Sequence, residues 1–77
     1  MTGPKVDQVK QPELSELGRR ICRARKAKGM SQAALGEATG LSRVAISNIE
    51  HGLNEVRVLN LRRLAEALDV SVGQLVD

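Results

Sequence analysis

The sequence predicts an all-α domain of five short helices, and three observations carry that prediction. Apolar residues recur every three or four positions through most of the chain. The alternation of a β-strand appears only briefly, at Glu55-Val56-Arg57-Val58-Leu59, and reads as a loop and helix entry. The periodic segments are punctuated by a serine before and a glycine after, Ser31 with Gly40 and Ser42 with Gly52. There is no Phe, Trp or Tyr, so 77 residues must build one thin aliphatic core.

Residues 1–11, MTGPKVDQVKQ, are polar, carry a Gly-Pro pair and lack periodicity. They read as a flexible arm, and the domain proper spans 12–77. Pro12 suits the first residue of a helix. Helix one is expected over Pro12–Lys28, with Leu14, Leu17, Ile21 and Ala24 turned inward and Gly29 ending it. Helix two is expected over Gln32–Thr39. Ser31 caps it by accepting a bond from an orphan amide, and Leu35 and Ala38 share its inner face. Gly36 costs that helix about 1 kcal/mol relative to alanine, so its presence marks a close backbone approach. Gly40 stands where positive φ is required. Helix three is expected over Arg43–His51, capped by Ser42 and closed by Gly52. Its Ile46 and Ile49 point inward, leaving Arg43, Val44, Ser47 and Asn48 outside. Helix four, Val58–Leu68, turns Leu61, Leu64, Ala65 and Leu68 inward. Ser71-Val72-Gly73-Gln74 is a capping-box pattern that opens a last helix through Val76.

Composition excludes several functions. Without aromatics there is no platform for stacking single-stranded bases. Cys22 is alone, so no intrachain disulfide forms, and His51 is the only other good ligand, so neither metal nor cofactor is expected. Cys22 reads as a small hydrophobe. No nucleophile or acid–base constellation is visible, so the chain is not expected to be an enzyme. No run approaches a membrane span and no signal peptide is visible, which points to a soluble cytoplasmic protein. The net charge of +3 is unevenly spread. Residues 1–30 hold eight basic residues against three acids, and residues 31–77 hold four against six. The basic half is either a solvated helix face or a stripe that meets phosphate.

Helices two and three, joined by one glycine turn, have the pattern of a helix-turn-helix, whose second helix usually enters the major groove of DNA. Ile21, Arg25, Gly29, Ser31-Gln32, Leu35, Gly40-Leu41-Ser42, Ile46-Ser47, Ile49-Glu50 and Gly52 carry a more specific pattern. Leu64-Ala65-Glu66-Ala67-Leu68, Val70-Ser71 and Leu75 continue it. Over roughly Leu14 to Val76 the chain resembles the Cro/phage-repressor, or Xre, family. The resemblance implies a five-helix lambda-repressor-like domain that binds double-stranded DNA sequence-specifically, as a small transcriptional regulator and most simply a repressor.

The resemblance places base contacts early in helix three and one turn later, at Arg43, Val44, Ser47 and Asn48. Their chemistry suits the task. A guanidinium donates twice to guanine, a carboxamide pairs both ways with adenine, and valine meets a thymine methyl. Phosphate contacts are expected from Gln32, from Ser42 and the free amides at the starts of helices two and three, and from His51 and Asn54 beyond the reading helix, with Arg57 a further candidate. Arg25 and Glu50 are implied to form a structural ion pair.

One helix reads too few base pairs for a genome, so a homodimer on a palindrome is expected. Val70, Val72, Leu75 and Val76 are the candidate contacts, with Leu53 and Leu59 in reserve. Three settings fit: a phage-type repressor, a restriction-modification controller protein, or an antitoxin with a toxin partner. A protein-interaction module without DNA binding is the other class, and the polar outer face of helix three speaks against it. The chain departs from the family where Ala33 and Ala34 replace the usual acid, so no capping box supports helix two. Val56-Arg57 replaces a common Pro-Ser before helix four. Gly73 weakens the last helix, so a partner chain is expected to order the C-terminal end.

Overall fold

Local capping chemistry sets the helix boundaries. The computed structural model describes residues 12–77, and the arm expected over 1–11 lies outside them. Five helices follow in order: α1 (Pro12–Ala27), α2 (Gln32–Thr39), α3 (Arg43–Glu50), α4 (Val58–Leu68) and α5 (Val72–Val76). Among the described residues there is no strand, and no helix is long and apolar enough to cross a membrane. Ser31, Ser42 and Ser71 each sit in extended backbone and accept the amide of the third helical residue. The α5 capping box is complete, because the Ser71 amide donates to Gln74 Oε1 at 2.8 Å. Arg57 offers α4 no side-chain cap, in keeping with the missing Pro-Ser.

Four helices end on left-handed residues. Gly29, Gly40 and Gly52 have φ of 72°, 80° and 71°. After Gly52, Leu53 N–H donates to the Asn48 carbonyl while Gly52 N–H donates to that of Ile49, so the orphan carbonyls of α3 are satisfied. Asp69 does the same for α4 at φ 60°, a conformation that aspartate tolerates better than most side chains. Helices α1 and α3 stop one residue short of expectation, with His51 as the α3 cap.

The core is Ile21, Leu35, Ile46, Ile49, Leu64, Ala65, Leu68 and Leu75. Leu17, Ala24 and Leu61 pack against it half-buried. Leu14 is only half-buried and lines an apolar groove between α1 and α5 with Leu17, Leu75 and Val76.

Two expectations are corrected. Ala38 is exposed and Thr39 is buried in its place. At about 100° per residue, position 39 falls nearer than 38 to the direction of Leu35. The Thr39 hydroxyl is satisfied by donating to the Leu35 carbonyl at 2.8 Å. The C-terminal helix also finds a packing surface within its own chain. Leu75 is 2% exposed within its own domain. Burying a leucine contributes about 1.5–3 kcal/mol, more than the roughly 1 kcal/mol that a helical glycine such as Gly73 costs. Leu75 is therefore not available as a dimer contact. Val70 and Val72 also pack against the core, whereas Leu53, Leu59 and Val76 are exposed.

Candidate nucleic-acid interface

Helix α3 is held by its inner face and displays its outer one. Ile46 and Ile49 are buried, and the same periodicity leaves Arg43 and Val44 exposed and Ser47 and Asn48 half-exposed. Gly36 allows α2 to cross the following turn closely, since a Cβ there would stand 2.5 Å from the Leu41 carbonyl oxygen. The serine caps use the amides of Ala34 and Ala45. The first two amides of each helix, at Gln32, Ala33, Arg43 and Val44, thus lie at the positive ends of α2 and α3, where an anion is favoured.

The far end of α3 is clamped to α1 in three ways. Arg25 Nε donates to Glu50 Oε2 at 2.6 Å and its Nη2 to Oε1 at 3.1 Å, and Glu50's side chain is only 4% exposed. Gly18 lies directly on the α3 backbone: a Cβ there would come within 2.6 Å of the Glu50 carbonyl oxygen, and closer to that of Ile49. Gly52 is seated against α1 too, its Cβ direction meeting Ser15 Cα at 2.8 Å. Sequence reasoning missed Gly18, although a mid-helix glycine carries the same signal that was read at Gly36.

Glu50 lies at the centre of a polar node. Arg25 Nη1 also donates to the Met30 carbonyl at 2.8 Å, and Nη2 lies 3.6 Å from Cys22 Sγ. Cys22 thus sits half-buried beside the node, which was not expected of a small hydrophobe. Gln32 Nε2 donates to Glu50 Oε1 at 3.0 Å. The half-buried Gln32 amide, expected at phosphate, is directed inward. Burial acts to raise the Glu50 pKa, but hydrogen bonds from Arg25 and Gln32 outweigh it and hold the carboxyl below its ordinary 4.5. Its hydrogen bond to Glu50 shifts the Arg25 guanidinium the other way, upward against burial.

The remaining candidates sit around this frame. The Ser42 hydroxyl accepts from Ala45, leaving its proton free to donate. His51 Nδ1 lies 2.7 Å from the Ser47 carbonyl, so the ring is tied to the last turn of α3. Asn54 and Arg57 are exposed in the loop before α4. The Gln32–Glu50 contact brings the start of α2 to the His51 end of α3, with Arg43 and Val44 at the opposite end.

The basic residues of α1 are partly consumed internally. Arg19 and Arg20 both pair with Glu16, three and four residues away, and Arg25 is buried. Hydrogen bonds from Arg19 and then Arg20 hold the Glu16 carboxyl below its ordinary value. Arg19 stays exposed within that pair, and Arg23, Lys26 and Lys28 are the other exposed cations among the described residues of α1 and its end.

A helix-turn-helix family model matches residues 23–75. The chain is 43% identical over 54 residues to an uncharacterised HTH-type transcriptional regulator of Sinorhizobium fredii, a match covering 70% of this chain and 38% of that protein. It thus spans well under half of that relative's length. The restriction-modification controller protein C.AhdI of Aeromonas hydrophila superposes with a TM-score of 0.82 at 35% identity, over 84% of this chain and 98% of that one. The P22 c2 repressor, solved with a synthetic operator, superposes with a TM-score of 0.76 at 41% identity, over 79% and 92% of the two chains.

Proposed function

The chain belongs to the helix-turn-helix family of DNA-binding transcriptional regulators, in its Cro/phage-repressor branch, and from that premise we propose how it reads DNA. Helix α3 enters the major groove with Arg43, Val44, Ser47 and Asn48 on base edges. The observation that carries this reading is the division of α3 into a buried isoleucine pair and an outer face of guanidinium, methyl, hydroxyl and carboxamide groups. An interaction module would not need four different hydrogen-bonding and apolar groups there.

Phosphate is met by Gln32, whose carboxamide keeps a second N–H beside its bond to Glu50, by the free amides at the starts of α2 and α3, by the Ser42 hydroxyl, and by His51, Asn54 and Arg57 in the following loop. The regulator acts as a repressor in the cytoplasm, as a homodimer on a palindromic operator. Two copies supply the base pairs that one helix cannot. With Leu75 in the core, the exposed Val76, Leu53 and Leu59 and the half-buried Val70 and Val72 are the apolar candidates left for the second copy. Likeness to a controller protein and to a phage repressor favours those two settings over an antitoxin with a toxin partner.

Selection from a random duplex library at about physiological salt tests the reading, since affinity depends steeply on salt. Enrichment of a palindrome with half-sites about one helical turn apart supports it. In the enriched duplex, Asn48→Ala then relaxes preference at one base pair per half-site by about 1–3 kcal/mol. A folded sample that enriches nothing, or an Asn48→Ala variant with unchanged preference, refutes the placement of α3.

A further inference from the structure

We propose that His51 meets the DNA backbone only as an imidazolium, so that each protomer takes up a proton when it binds. The proposal rests on the DNA-binding reading above and adds the proton to one of its phosphate contacts. His51 is the cap of α3 and the only histidine of the chain. Its Nδ1 lies 2.7 Å from the Ser47 carbonyl oxygen, one turn back along the helix. A carbonyl only accepts, so Nδ1 carries the proton of the neutral ring. Nε2 is then left with a lone pair, and a phosphate oxygen only accepts as well. Two acceptors do not bond. One arrangement keeps the Ser47 bond and adds the phosphate: Nε2 gains a proton, both ring nitrogens donate, and the ring becomes a cation. The opposite tautomer, with its proton on Nε2, sets the Nδ1 lone pair against the Ser47 carbonyl at hydrogen-bonding distance.

The charge is favoured where it forms. The ring sits at the negative end of the α3 dipole, and phosphate adds a full negative charge. The neighbouring groups are otherwise engaged or neutral. The Glu50 carboxylate turns inward to Arg25 and Gln32, and the Arg25 guanidinium also lies beside Cys22. Helix α1 presents the uncharged Ser15 to Gly52. The loop before α4 holds Glu55 and Arg57, both exposed and of opposite sign. Among the described residues His51 makes no ion pair. Imidazole changes its charge near neutral pH, so the coupling falls in a range where DNA binding is readily measured.

Two measurements test this. Ring-nitrogen chemical shifts report His51 alone, because no other histidine is present. In the free protein at about pH 8.5 they should show the neutral ring protonated at Nδ1. A ring protonated mainly at Nε2 would overturn the proposal without reference to DNA. Affinity for the duplex enriched by the wild type is then followed from about pH 6 to 8 at one salt concentration. Binding adds a proton, so wild-type affinity should fall as pH rises, by at least about fivefold over that range.

His51→Gln supplies a neutral donor at every pH, and its profile should change by less than about twofold. Every other titrating group is common to the two proteins, so the difference between the profiles belongs to His51. Coincident profiles from folded proteins would refute the proposal and leave the DNA-binding reading intact. If the wild type enriches no duplex, that reading fails and the proposal falls with it.

Discussion

Gly18→Ala is the most discriminating single substitution in this fold. By helix propensity it should help, since alanine is worth about 1 kcal/mol more than glycine inside a helix. The tertiary contact reverses the sign. The new Cβ would stand 2.6 Å from the Glu50 carbonyl oxygen, where ordinary contact begins near 3.4 Å. The gap must open by more than about 0.8 Å, since the Ile49 carbonyl oxygen is closer still, and the atoms in the way are backbone, which no rotamer change can move. Overpacking of this kind costs about 1–3 kcal/mol. The Arg25–Glu50 pair sits at the same contact, so its 2.6 Å bond should lengthen as well. Set against the propensity gain, a net loss of about 1 kcal/mol would lower the melting temperature of a domain this size by roughly 4–8 °C. Denaturant unfolding and a thermal melt measure it. A Gly18→Ala protein as stable as the wild type, with unchanged DNA specificity, would refute the claim that α1 seats directly on the end of α3.

Gly73→Ala makes the opposite prediction from the same chemistry. Its Cβ would meet the movable Asp77 carboxylate at 3.3 Å and Ser71 Oγ at an ordinary 3.8 Å, so stability should rise by about 1 kcal/mol in the same unfolding assay. Leu75→Ala should cost about 2–5 kcal/mol as a core truncation, while sedimentation of the folded variant should match the wild type at equal concentration. Arg25→Ala should cost about 3–5 kcal/mol, because it strands the buried Glu50 carboxylate, and chemical denaturation would reveal it. Glu50's folded pKa lies below its ordinary 4.5, so its contribution to stability is present above that value and is lost as pH falls through the lower, folded one. The melting temperature should drop across that acid range, and Glu50→Gln should flatten this limb of the profile.

The helix order, the three serine caps, the three glycine stops and nearly all of the buried core were legible in the sequence. Caps and apolar periodicity act over three or four residues, so they are written locally. The outer face of α3 was legible for the same reason, as the remainder of a helix whose isoleucines point in. The Arg25–Glu50 pair was named through a family resemblance, since the 25 residues between its members carry no pattern of their own. What only the tertiary structure decided lies at contacts between distant segments. Gln32 turns to Glu50 across 18 residues, and the Arg20 guanidinium reaches the Leu75 carbonyl across 55. Gly18 is read as a packing surface once α3 lies over it. These contacts depend on helix crossing angles and on which side of a helix meets its neighbour. A one-dimensional apolar pattern marks an inner face but does not say which residue of another helix that face will touch.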